Sequence, residues 1–155
     1  MDARGNQWSP DQFYSGASKR LQTSRQIYQT SDVELYQTAR SFRRNGVGPY
    51  TYEIPVPAIG YYRLVLGFAE ISGSRQGIGR RLARIVVEGH AKHEKFDIVE
   101  ASGDSFTRVK VPLGPIYVGD GHLSVGFELV KFNPMVSTIE VYKLSDGSVL
   151  KVKDP

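Results

Sequence analysis

The chain has 155 residues, no cysteine, three histidines and a formal net charge of +4. This length fits one domain that buries about 68–70% of the surface exposed by the unfolded chain, so it needs no disulfide or metal to be stable. The missing cysteine excludes disulfide scaffolds, thiolate metal sites and cysteine nucleophiles, and it favours a reducing compartment. The N-terminus has no apolar signal core and no run approaches the about 20 apolar residues of a membrane span. We therefore expect either a cytoplasmic protein or part of a larger one.

The first half of the chain offers one clear core strand. Residues 15–25 are polar and predict at most a short helical turn. Residues 50–57 alternate in polarity and end at prolines. Since proline cannot donate a hydrogen bond to a neighbouring strand, this segment indicates an edge strand. In residues 61–70 an alternation of period two places four apolar side chains on one face: Tyr62, Leu64, Leu66 and Phe68.

The second half predicts a series of further strands bounded by glycine, proline, asparagine or aspartate. The clearest is 122–130, in which Leu123, Val125, Phe127 and Leu129 are expected to face inward. Asp146-Gly147 predicts a hairpin turn. Eight or nine short strands without a convincing amphipathic helix predict an all-β fold, an antiparallel β-sandwich or jelly roll. The other predicted strands are 82–89, 93–101, 106–113, 114–120, 136–144 and 148–154.

The sequence offers little catalytic chemistry. His90 and His93 are three residues apart and would face opposite sides of a strand, with no third ligand nearby. Residues 73–79 contain G-x-x-x-G-x-G without the strand-to-helix context of a phosphate loop, so a flexible connection is favoured over a phosphate cradle. No G-x-S-x-G elbow or acid–base pair is recognisable. We expect no metal, no cofactor and no enzymatic activity.

Four segments, in this order, resemble the malectin and malectin-like family: LYQTAR (35–40), YTYEIPVPAIGYYRLVLGFAEI (50–71), RLARIVVEGHAKHEKFDIV (81–99) and LSVGFELVKFNPMVSTIEVYKL (123–144). The resemblance covers residues 13–145. It implies a non-catalytic jelly-roll β-sandwich. The founding member is a lectin that binds glucose disaccharides, and relatives occur in plant receptor ectodomains and attached to kinesin motors. The FAEI segment is most similar to the intracellular, motor-attached kind.

The resemblance also suggests a division of the chain. Residues 1–12 are expected to form a flexible N-terminal segment and residues 13–145 the malectin-like domain. Residues 146–155 would be a C-terminal hairpin return or tail.

Most sugar-binding positions of the lectin do not carry over. Tyr14 matches the opening tyrosine. Ser41 stands at an aromatic position, although Phe42 lies next to it. Ser72-Gly73 replaces an aromatic pair, and Phe132 replaces the aspartate expected before an N-P pair. The resemblance therefore implies a remodelled, degenerate sugar cleft.

We expect the same loops to form a ligand-binding rim with a basic character. Its candidate residues are Tyr14, Ser41, Phe42, Arg43, Arg44, Ser72, Gly73, Arg75, Arg80, Arg81, Phe132 and Asn133. A basic rim predicts an acidic protein segment or another anionic partner, with a glycan as a further option and no specific nucleic acid. The expected role is targeting or protein interaction within a larger protein, such as a kinesin, that has flanking domains.

Two other functions stay open. A lectin with altered glycan specificity would use Tyr14, Phe42 and Phe132 as stacking platforms. A self-association module would pair two copies through exposed strand edges.

Overall fold

The structure is a computed structural model that describes residues 1–43, 50–144 and 149–153. Strands dominate these residues, and the two helices contain only four and five residues. The elements are β1 (Tyr14–Ser15), β2 (Ser18–Gln22), α1 (Val33–Tyr36), β3 (Thr38–Phe42), β4 (Thr51–Pro55), β5 (Gly60–Phe68), β6 (Leu82–Val87), β7 (His90–Phe96), α2 (Ile98–Ser102), β8 (Val109–Val118), β9 (His122–Lys131), β10 (Met135–Val136), β11 (Thr138–Lys143) and β12 (Val149–Lys153).

The strands form antiparallel sheets around one hydrophobic core. Their orders are β1-β4-β9-β6-β7, β12-β11-β5-β8 and β10-β3-β2. Pairs such as β4 with β9 and β5 with β11 join segments that are far apart in the sequence. The predicted all-β antiparallel sandwich of the jelly-roll type is confirmed. None of the helices in the described residues is long and apolar enough to cross a bilayer.

The alternation predicted for β5 is confirmed. Tyr62, Leu64, Leu66 and Phe68 are at most 1% exposed, whereas Tyr61 on the opposite face is 57% exposed. Burying four such side chains stabilises the fold by roughly 1.5–3 kcal/mol each. β5 lies between β8 and β11, so it forms the centre of its sheet.

β9 follows its predicted alternation except at one end. Leu123, Val125 and Phe127 are buried, but Leu129 is 41% exposed, so its inward assignment is wrong. Leu129 pairs with Ala83, next to a register shift between β6 and β9. The end of the strand therefore leaves the core.

Three predicted segments differ in the structure. Residues 98–102 form α2 rather than strand, because the Asp97 side chain caps a helix there. Residues 109–118 form one strand, β8. The Gly-Pro pair that suggested a boundary lies at a register irregularity between Tyr62 and Leu64, which the strand continues past. Residues 18–22 form β2, since pairing with β3 overrides their polar character.

Segments near both ends of the described residues contact the domain. The Asp11 carboxylate forms an ion pair with Arg40 at 2.6 Å and accepts a hydrogen bond from the Tyr52 hydroxyl at 2.7 Å. β12 pairs antiparallel with residues 138–142, which is the pairing that a hairpin return requires. The predicted turn at Asp146-Gly147 lies outside the described residues.

Candidate functional site

The connection between β5 and β6, here called the 70–81 loop, begins and ends at a buried ion pair. Glu70 Oε2 lies 2.6 Å from Arg81 Nε, and Glu70 Oε1 lies 3.1 Å from Arg81 Nη2. Glu70 is fully buried and Arg81 is 3% exposed. Glu70 Oε1 also accepts a hydrogen bond from the Ser72 backbone N–H at 3.0 Å. A pair of this kind fixes the two ends of the loop side by side.

Sequence reasoning missed this pair, although a signal was present. Glu70 continues the even-numbered face of β5 directly after Phe68, so the alternation already places a carboxylate on the apolar side. A buried carboxylate needs a partner that carries the opposite charge. The sequence does not say which of the nearby arginines provides it.

A second contact holds the loop near its end. The Asp97 carboxylate accepts hydrogen bonds from the backbone N–H groups of Val99 and Glu100 at the start of α2, and from that of Gly79 at 2.5 Å. Asp97 followed three residues later by Glu100 is the pattern of a helix N-cap, and it was the signal for this role. The loop is thus fixed by two carboxylates while its middle reaches solvent.

The Arg75 side chain lies over the ring of Phe132. Its guanidinium carbon is 3.6 Å from the ring centroid, and that of Arg81 is 5.1 Å away. Phe132 adopts a positive φ of 65°, which is uncommon for a bulky residue and turns the chain after β9. Arg75 Nε is buried without a hydrogen-bond partner, and no acceptor among the described residues pairs with this guanidinium.

Backbone contacts join the loop after β9 to its neighbours. Arg81 Nη1 donates to the carbonyl oxygen of Asn133, and the Phe42 N–H donates to that of Pro134 at 2.9 Å. The structure therefore brings three of the predicted segments together: the end of β3, the 70–81 loop and residues 131–134.

Three predicted rim residues are not accessible to a ligand. Ser41 and Phe42 are at most 1% exposed, and Arg81 is buried in its ion pair. The Phe42 ring stacks on Tyr50 and Phe127 at centroid distances of 5.4 and 5.9 Å, as part of the aromatic core. Their placement in the rim is corrected, because β3 is the central strand of its sheet and Arg81 neutralises Glu70.

The remaining rim candidates are exposed or half-buried. Arg43, Gly73 and Arg80 are exposed, while Ser72, Arg75, Phe132 and Asn133 are half-buried. Neither the Arg43 nor the Arg80 guanidinium forms an ion pair within the described part of the chain. Arg44 lies outside the described residues.

Tyr14 lies next to β4 instead of beside Phe132. It is 39% exposed, pairs with Tyr52 across the β1–β4 ladder, and has the Arg40 guanidinium carbon 4.2 Å from its ring centroid. Nothing in the structure places the Tyr14 ring in contact with the 70–81 loop.

The arrangement can bind an anion but shows no catalytic group. The groups that face solvent are arginine side chains, a phenylalanine ring and small polar residues. No cluster of histidine and carboxylate side chains with metal-ligand geometry occurs among the residues described. Because Arg75 Nε is buried, Nη1 and Nη2 are the groups of this guanidinium that can bind a carboxylate from solvent.

A comparison with family models identifies one family for this chain. A family model described as malectin domain matches residues 1–146. A probable LRR receptor-like serine/threonine-protein kinase from Arabidopsis thaliana is 30% identical over 136 residues, which cover 78% of this chain and 12% of the kinase. The kinesin-like protein KIN-14R from the same plant is 29% identical over 142 residues, covering 91% of this chain and 12% of the kinesin.

Solved structures share the fold at low identity. The ANXUR1 extracellular domain from Arabidopsis thaliana superimposes with a TM-score of 0.72 at 16% identity, covering 83% of this chain and 39% of that one. A Bacteroides uniformis beta-glucuronidase superimposes with a TM-score of 0.70 at 19% identity, covering 90% of this chain and 16% of the enzyme. The chain thus spans only a small part of these longer proteins.

Proposed function

Because the chain belongs to the malectin domain family, we propose that it is a non-catalytic binding module whose 70–81 loop and residues 131–134 bind a carboxylate-bearing segment of a partner protein. The observation that carries the proposal is the Arg75 guanidinium, which is stacked on Phe132 and has no acceptor among residues 1–43, 50–144 and 149–153. The planar guanidinium of arginine is pre-organised, so it loses less entropy per hydrogen bond formed than a lysine does, and the Phe132 ring holds it in one orientation. A carboxylate can then bind to an oriented donor.

Two exposed arginines extend this surface. Arg80 lies in the same loop, and Arg43 follows β3 next to residues 131–134. Their charges attract an acidic segment and raise its local concentration. Ser72 and Gly73, where the lectin would have aromatic rings, leave the space beside Arg75 open; no atom lies within 4 Å of a Cβ built on Gly73.

We further infer that this domain targets a larger protein to its partner. The chain spans about 12% of the length of the receptor-like kinase and of the kinesin-like protein. A cytoplasmic location stays a prediction, since the relatives include both a receptor-like kinase and a kinesin-like protein.

The test measures binding of a fluorescein-labelled hexaglutamate peptide by fluorescence anisotropy at low and high salt. We expect Arg75→Gln to weaken binding about 10- to 100-fold, the effect of losing hydrogen bonds to a charged group. The control is Arg63→Gln, which removes an exposed arginine that stacks on Tyr142 in β11. Raising the salt concentration should weaken binding by the unmodified chain.

Two results would contradict the proposal. One is hexaglutamate binding of equal strength at low and high salt. The other is equal loss in the Arg75 and Arg63 variants, because that loss would reflect net charge alone. Circular dichroism of both variants checks that the fold is retained.

The lectin alternative has less support in the structure. Of its three platforms, Phe42 is buried, Phe132 is covered by Arg75, and Tyr14 is covered by Arg40. A neutral sugar would have to displace an arginine before it could stack. Saturable binding of maltose that Phe132→Ala abolishes would favour the lectin over the proposed function.

Self-association through strand edges also finds little support. β8 is an edge strand of its sheet but contains Pro112 and Pro115, which cannot donate to a neighbouring strand. Light scattering over a dilution series tests this function. A mass that falls from dimer to monomer on dilution would favour it.

A further inference from the structure

The outer face of the five-stranded sheet carries an open groove, here called the Gly126 groove. In the sheet register Thr51 pairs with Gly126, Gly126 with Val86, and Val86 with Ala91. Each of four adjacent strands thus contributes one small residue to a row that runs across the sheet. The groove around this row has a volume of about 440 Å³. Its lining residues are Tyr50, Thr51, Val86, Gly89, Ser124, Gly126, Phe127, Glu128 and Leu129.

Nothing in the fold requires glycine at the floor of the groove. A Cβ on Gly126 would lie 3.7 Å from Thr51 Cγ2 and 3.7 Å from Val86 Cβ, which are ordinary van der Waals contacts. The φ of Gly126 also lies outside the left-handed region. Glycine in the middle of a strand weakens the strand, and it often marks a place where another chain or a ligand approaches closely.

Two carboxylates flank the groove by binding Ser124, one of its lining residues. Glu53 lies opposite Ser124 in the β4–β9 ladder and accepts a hydrogen bond from the Ser124 hydroxyl. Glu88 Oε1 accepts a hydrogen bond from the Ser124 backbone N–H at 2.7 Å. Neither carboxylate forms an ion pair within residues 1–43 and 50–144. This side therefore carries two negative charges next to an apolar floor.

The opposite side of the groove carries one arginine and two carboxylates, so its net charge is −1. Arg84 lies between Glu94, at 2.8 Å, and Glu128, at 2.7 Å. The groove is thus flanked by two unpaired carboxylates on one side and by a net charge of −1, partly screened by Arg84, on the other. An occupant should carry its positive charge on the side of Glu53 and Glu88.

We propose that the Gly126 groove binds an extended peptide segment of a partner protein, with small side chains over Gly126 and a lysine or arginine next to Glu53 and Glu88. Charge complementarity selects this occupant. A glycan fits less well because the lining offers no available aromatic platform. The Tyr50 ring stacks on Phe42, and its hydroxyl donates to the Arg43 carbonyl.

This surface differs from the arginine surface described above, although the two meet where the Tyr50 hydroxyl donates to the Arg43 carbonyl. It lies on the face of the β4-β9-β6 strands and the turn between β6 and β7 rather than in the 70–81 loop, and its unpaired charge has the opposite sign. One domain could therefore bind two different partners, or two segments of one partner.

The experiment uses the full chain and a fluorescein-labelled peptide that alternates lysine and alanine, followed by fluorescence anisotropy. The double variant Glu53→Gln/Glu88→Gln keeps both acceptors for Ser124 and removes both charges. Gly126→Val fills the floor, and Gly126→Ala fills it partly. The matched control is Glu34→Gln/Glu100→Gln, which removes two exposed helix carboxylates.

We expect the groove double variant and Gly126→Val each to weaken binding by about tenfold or more, the scale of a lost charge-assisted contact. Gly126→Ala should have an intermediate effect, and the control should stay near the unmodified chain. Retained affinity in the groove double variant, or an equal loss in the control, would overturn the proposal. Binding of maltohexaose that Gly126→Val abolishes and the double variant leaves intact would also overturn it, in favour of a glycan. If Gly126→Val unfolds the chain, Gly126→Ala and the charge variants decide alone.

Discussion

The substitution Arg81→Met tests whether the ion pair at the base of the 70–81 loop holds the fold together. It would leave the Glu70 carboxylate fully buried without its guanidinium, and it would remove the Arg81 hydrogen bond to the Asn133 carbonyl. Removing one partner of a buried pair costs about 3–5 kcal/mol. With a urea m value of about 2 kcal/mol/M, the unfolding midpoint should fall by about 2 M. Urea denaturation followed by tryptophan fluorescence measures this shift.

The matched control is Arg84→Met on the outer sheet face. Arg84 also contacts two carboxylates, but its side chain is 37% exposed and those of Glu94 and Glu128 are 71% and 55% exposed. Such surface pairs contribute about 0–1 kcal/mol, so this variant should stay close to the unmodified chain. The double variant Glu70→Leu/Arg81→Met should recover much of the loss, since no buried charge remains. Equal effects of Arg81→Met and Arg84→Met would refute the reasoning.

Three further substitutions test other parts of the fold. Asp97→Ala should lower stability by about 1–2 kcal/mol through loss of the α2 cap, measured by thermal denaturation, whereas Asp97→Asn should lose less. Burial raises the pKa of Tyr36 to about 12, so the folded state retains a proton that the unfolded state releases near pH 10, and stability should fall as the pH rises from 10 to 12. The Tyr36→Phe variant should show less alkaline destabilisation in urea titrations at pH 9 and 11. Gly67→Ala should cost about 1–3 kcal/mol, because its Cβ would lie 2.0 Å from Thr138 Oγ1; Gly126→Ala, with 3.7 Å contacts, is the control and should unfold near the original midpoint.

The period-two alternation predicted the core of the sandwich because it reports directly on which side chains are buried. It placed Tyr62, Leu64, Leu66 and Phe68 correctly. It failed at residues 97–101, where a capping aspartate competes with the strand pattern. The alternation of polar and apolar residues does not by itself reveal a helix start, so the capping signal of Asp97 has to be considered together with it.

The rim was harder to predict than the core because charge alone does not separate structural from exposed arginines. Arg75 and Arg81 lie six residues apart in one basic loop, yet Arg81 neutralises Glu70 while Arg75 lies over Phe132. The difference depends on which side chain the buried carboxylate reaches in three dimensions. Phe42 was misplaced for a similar reason, since a core aromatic and an exposed stacking ring have the same sequence signature.

Because Arg81 is buried in an ion pair with Glu70, fewer arginines remain to attract the proposed partner. Of the arginines described in the predicted rim, Arg43, Arg75 and Arg80 can face a ligand. Two or three cations give weak long-range attraction that salt screens readily. Affinity must then come mainly from local geometry, above all from the stacked guanidinium of Arg75. An acidic segment should therefore be recognised by the placement of one carboxylate, and scrambling its sequence at constant net charge should weaken binding measurably.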